Sequence, residues 1–146
     1  MMGYVMCNPS TADAAVDDPT IRRCWAYARR EGMGGLRVVN LFAWRATKPA
    51  DLNRARRAGA DIVGPENEAH QRKLFADPEV SRVVAAWGAL SALPSSVTEP
   101  RIGALLGLPG AERLERFERG NATRVHASHP LYLPADARLV PYGVEL

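Results

Sequence analysis

The stretch Tyr4–Thr20, "YVMCNPSTADAAVDDPT", decides how this chain is read. A short apolar run, Tyr4-Val5-Met6-Cys7, gives way at Asn8-Pro9-Ser10 to turn-forming residues. Such a run bounded by turn residues predicts a buried strand. Asp17 or Asp18 can cap the helix that follows, and its first turn accepts Pro19. Ile21, Cys24, Trp25 and Ala28 fall on one face at helical spacing, and Gly32 or Gly34 stops the helix. Strand, turn and helix in that order begin an α/β unit.

Working outward, three more strands are predicted at Leu36–Phe42, Val80–Trp87 and Ala122–Ala127. Asn67–Phe75 reads as a helix, and Ile102–Leu106 as a short one between prolines. "ERLERFER", Glu112–Arg119, reads as a solvated helix with Leu114 and Phe117 inward. Near-continuous apolar strands alternating with helices predict a parallel sheet covered on both faces. The expected architecture is an α/β fold, a three-layer α/β/α sandwich around a central four-stranded parallel sheet, in one domain spanning residues 1–146.

Composition narrows the function classes. No apolar run approaches the roughly 20 residues that span a bilayer, and the N-terminus lacks a secretory layout. Cys7 and Cys24 make neither a disulfide framework nor a four-ligand metal site. A cytoplasmic protein is expected, monomeric, away from membranes, with no metal and no cofactor. The net charge is +3, but Arg22 to Arg57 holds ten basic side chains against Glu31 and Asp51, or +8. That asymmetry suits either an anionic partner or a solvated basic face.

In open parallel sheets, ligands bind beyond the carboxyl ends of the strands. "NPSTAD", "NLFAWR", Trp87-Gly88 and His129-Pro130 each fall where a predicted strand ends, so all four are expected to face one crevice. Asn8 carries a donor and an acceptor, Pro9 stiffens its turn, and Asp13 is close enough in sequence to share a water with it. Read alone, the same residues suit an Asx turn and a helix cap. Asn40 would end a buried strand, where its amide needs partners from the backbone or from a ligand such as a pyrimidine edge. Phe42, Trp44 and Trp87 could stack a base, though each also suits a core. His129 stands at a proline turn. No zinc spacing, phosphate loop or nucleophile elbow occurs.

Taken in order, "MCNPSTAD", "VVNLFAWRAT", "VVAAWGA" and "HPLYLP" resemble a bacterial and phage family of unknown function, DUF1643, over essentially the whole chain. The layout is also similar, more distantly, to the uracil-DNA glycosylase superfamily. That resemblance implies a four-stranded parallel sheet between helices and a base-flipping DNA glycosylase of base excision repair. It implies that Asn8, with Asp13, holds the attacking water, that Asn40 reads the uracil edge, and that His129 stabilises the departing base. "LYL" after His129-Pro130 departs from the usual Ser-Pro continuation of the loop that enters the minor groove. Ser10 stands where uracil-specific relatives carry a tyrosine, which implies room for 5-substituted uracils such as 5-hydroxymethyluracil. The expected partner is DNA containing a modified or deaminated pyrimidine, its backbone gripped by Arg22, Arg23, Arg45 and Arg54. The alternatives are a hydrolase of free nucleosides or nucleotides, and a non-catalytic module that binds a nucleotide or nucleic acid.

Overall fold

Strand β1 (Met2–Met6) is buried along its whole length, and its side chains alternate between two apolar clusters. Val5 joins Val39, Val83 and Ala85 in the first, while Met2, Tyr4 and Met6 join Val84 and Ala86 in the second. This period of two, apolar on both faces, is that of a central strand with helices above and below. The computed structural model describes residues 1–10, 18–118 and 127–143.

Helix α1 (Pro19–Arg30) leads to β2 (Leu36–Asn40); then follow α2 (Pro49–Arg57), α3 (Asn67–Ala76), β3 (Arg82–Ala85) and α4 (Ser95–Leu106). A 3₁₀ turn at Ala111–Arg113 opens β4 (Leu114–Phe117), and a second, Pro130–Tyr132, precedes β5 (Leu139–Pro141). The sheet order is β2-β1-β3-β4-β5. The first four strands run parallel, and β5 pairs antiparallel with β4. Helix α1 supplies Cys24, Tyr27 and Ala28 to the second cluster; α2, α3 and α4 supply Leu52, Leu74, Phe75, Ile102 and Leu105 to the first. Gly3 lets α3 approach β1, since a Cβ there would lie 3.1 Å from Leu74 and Val80 side-chain atoms. Among the described residues no helix is long and apolar enough to cross a membrane.

Two expectations need correction. Among the described residues the sheet has five strands, the last antiparallel, rather than four parallel ones. Its fourth parallel strand lies at Leu114–Phe117, within the segment expected to be a solvated helix. There the charges are anchored rather than solvated. Glu115 takes Arg82 through two bonds of 2.8 and 2.7 Å, and Arg116 is buried. Of the strand expected at Ala122–Ala127, only Ala127 is among the described residues; it forms an antiparallel bridge with Gly88.

Candidate active site

The strand order reverses around β1, so the segments that follow β1 and β3 leave in different directions and open a crevice between them. A cleft of about 1130 Å³ fills it. Asn8, Pro9, Ser10, Asn40, Arg45, Trp87 and His129 all line this cleft. Residues from the ends of β1, β2 and β3, and from the segment before the second 3₁₀ turn, thus meet in one place. The volume exceeds the usual ligand pocket of roughly 300–1,000 Å³.

Asn8 is held by its nitrogen. Nδ2 lies 3.0 Å from the Ala46 carbonyl, 3.1 Å from that of Pro9 and 3.2 Å from that of Trp44. Three acceptors compete for two protons, which fixes the amide's orientation and leaves Oδ1 as its unused acceptor among the described residues. The Ala46 amide in turn donates to the Pro9 carbonyl. Asn8 therefore clamps the β2–α2 connection across the end of β1 and carries an acceptor on the cleft wall.

Asn40 pairs with Met6 in the sheet register. Its carbonyl accepts from Asn67 Nδ2 at 3.0 Å and Gln71 Nε2 at 2.7 Å, and Asn67 also reaches the Leu41 carbonyl. Both α3 side chains are buried. The Asn40 side-chain amide bonds to none of the described residues, and Asn40 lines the cleft.

His129 begins the Pro130–Tyr132 turn, and its Nδ1 accepts from the Leu131 amide at 3.3 Å. In the neutral ring that bond places the proton on Nε2. Burial pushes its pKa below the ordinary value, and the nearby Asp18 carboxylate opposes part of that effect. Gly88 seats the imidazole beside β3: its amide donates to the Ala127 carbonyl at 2.6 Å, and a Cβ on it would lie 3.6 Å from His129 Cβ. Gly88 has φ +79°, and Leu90, two residues on, has φ 56°. A buried leucine in the left-handed region is backbone strain held at the cleft wall.

The remaining expectations divide. Phe42 is fully buried in the first apolar cluster, away from the cleft, so it is core rather than a stacking surface. Trp87 lines the cleft but is 2% exposed, tilted against Tyr142 with ring centroids 5.6 Å apart. Arg23 donates to the Leu133 carbonyl and packs over Tyr27; it ties α1 to the His129 segment instead of presenting a free cation. Arg54 pairs with Asp51 at 3.0 Å, and Arg22 is exposed on α1; neither lines the cleft. Arg45 does line it, with a 3.4 Å bond to the Ser10 carbonyl. Asp13 lies outside the described residues.

Sequence reasoning missed Asp18 as a cleft residue, seeing it only as a possible cap. It is that cap, accepting from the Thr20 amide at 2.8 Å, and it also lines the cleft. Cys7, Thr47 and Ser91 line it too, with no motif to announce them. Burial pushes the Cys7 thiol up to about 12, which makes it a poor nucleophile at neutral pH.

No curated protein and no solved structure matches the chain. Residues 1–131 match the family described as "Protein of unknown function (DUF1643)", and the chain belongs to that family.

Proposed function

We propose that this protein hydrolyses the N-glycosidic bond of uracil, or of a 5-substituted uracil, in DNA. The observation that carries the reading is the meeting of three complementary edges in one cleft: the Asn8 acceptor, the Asn40 amide and the neutral His129 ring. As the bond between the base nitrogen and C1′ lengthens, positive charge grows on the sugar and negative charge on a pyrimidine oxygen. His129 Nε2–H donates to that oxygen, and such preorganised donors usually make the largest contribution in sites of this kind. Asn40 pairs its amide with the donor and acceptor edge of the ring. Asn8 Oδ1 accepts a hydrogen bond from the attacking water and aligns its oxygen on C1′. The water oxygen bonds to C1′, the base leaves with the bonding electrons, and the water's proton passes to solvent or to the departed base.

The distant likeness to uracil-DNA glycosylases and the run of four parallel strands support the same reading, in which the helices form the outer layers of a three-layer sandwich. The base must leave the DNA stack to enter such a cleft. Ser10 on the cleft wall leaves room beside the pyrimidine ring. The test is release of base from a deoxyuridine oligonucleotide, lost in Asn8→Ala and His129→Ala proteins that keep their fold.

Hydrolysis of a free nucleoside or nucleotide is a second reading. The size of the cleft and the pairing of Arg23, Arg30, Arg37 and Arg54 within the protein favour it. Salt-dependent DNA binding separates the two, since only the polymer makes many phosphate contacts.

A further inference from the structure

Of the described aromatic side chains, Trp44 is the most exposed, at 43%. Its backbone is pinned on both sides. The amide donates to the Ile62 carbonyl at 3.1 Å, and the carbonyl accepts from Asn8 Nδ2 at 3.2 Å. The flanking Ala43 and Ala46 amides are bonded to Val63 and Pro9 carbonyls. An indole ring therefore stands in solvent on a fixed stretch of chain, bonded directly to a residue of the cleft wall.

Its described surroundings are positive. Arg45 lines the cleft and Lys48 is exposed at the start of α2. Neither pairs with a carboxylate among the described residues, whereas Arg30, Arg37, Arg54, Arg72 and Arg82 all do. Residues 42–50 contain no acid at all. A flat ring flanked by cations matches a nucleobase between phosphates: the ring stacks on either face of any base, and the cations displace counterions.

We propose that Trp44, Arg45 and Lys48 form a stacking platform for an unpaired stretch of DNA strand leading out of the cleft. Trp44 takes the face of a base neighbouring the one in the cleft, and Arg45 and Lys48 hold the phosphates beside it. A free nucleoside has no atoms to place there, so the platform assigns the substrate as a polymer. The proposal rests on the cleft being the base pocket.

The test uses a short all-cytosine single-stranded deoxyoligonucleotide, which contains neither uracil nor a 5-substituted uracil, with binding followed by anisotropy and by tryptophan fluorescence. The wild-type protein binds and its fluorescence is quenched. Trp44→Ala binds about tenfold more weakly, while Trp44→Phe keeps most of the affinity. Arg45→Gln/Lys48→Gln flattens the plot of log K against log salt by about 1.4 units, the loss of two single-strand phosphate contacts. Equal affinity of wild type and a folded Trp44→Ala overturns the platform, and tighter binding of the matching ribo-oligonucleotide overturns its assignment to DNA. Because this probe carries neither uracil nor a 5-substituted uracil, the result is independent of glycosidic cleavage: the platform can fail while base release stands, and the reverse.

Discussion

At the scale of single residues, His129 makes the sharpest prediction. Its pKa is lowered by burial, so in the folded protein the ring stays neutral to a lower pH than in the unfolded chain. Below about pH 6.5, where an unperturbed histidine gains its proton, the unfolded chain binds more protons than the folded one. The stability contributed by His129 is thus full above that pH and is lost as pH falls toward the folded pKa, with the Asp18 charge limiting the loss. Denaturant melts across this range should show the decline in the wild type and a flatter profile in His129→Gln. Protonation of Nδ1 breaks the bond from the Leu131 amide that orients the ring. Under the proposed function, base release should therefore persist below pH 6.5 and fall only as the folded ring takes up its proton. Ser10 carries a second prediction. Ser10→Tyr should narrow the space beside the pyrimidine, so the preference for uracil over 5-hydroxymethyluracil should rise, about tenfold or more for roughly 1–3 kcal/mol of steric exclusion. Unchanged discrimination would remove the basis for tolerance of 5-substituents.

Among the elements, the end of β2 depends on α3. Asn67 and Gln71 donate three bonds to the Asn40 and Leu41 carbonyls from buried positions. Asn67→Ala leaves buried carbonyls short of donors, at a cost of about 1–3 kcal/mol, and frees the strand end that carries Asn40. A chemical melt checks the first effect; an increase in KM beyond that of an equally destabilised variant far from the cleft checks the second. Gly88 is a second test of local structure. Gly88→Ala meets no clash, but at φ +79° it should cost about 1–2 kcal/mol in left-handed strain.

These elements also show what the sequence could reveal. The first three strands and α1 and α3 were legible because each is an apolar run or a one-sided pattern between turn residues. Helix α2 was not: Leu52 is its only buried residue, so no hydrophobic stripe marks it, although Pro49 and Asp51 in the first turn and Arg54, Arg56 and Arg57 in the last are helix signals. In α4, Pro100 sits inside the helix and hid its first half. Strand β4 was misread because four residues, "LERF", cannot separate a period of two from one of 3.6; the deciding partner of Glu115 lies at Arg82, far along the chain.

For the whole molecule, the legible part of the site was its convergence. Strand-end logic brought Asn8, Asn40, Trp87 and His129 to one cleft because a parallel sheet gathers its carboxyl ends on one side. What the sequence could not reveal was the fate of individual side chains. Phe42 and Trp44 are two residues apart, yet one is core and the other stands in solvent. Arg23 and Arg45 look alike in the basic segment, yet one is tied to the Leu133 carbonyl while the other lines the cleft. Such outcomes depend on packing against distant residues, and local pattern does not carry them.

The most direct measurement is base release from oligonucleotides carrying uracil, 5-hydroxymethyluracil or thymine at one position, followed as abasic-site formation. The account predicts release of uracil and 5-hydroxymethyluracil by the wild-type protein, reduced at least 100-fold in folded Asn8→Ala and His129→Ala, as expected for loss of water positioning or oxyanion stabilisation. No release of either base, or release that survives both substitutions, would contradict it.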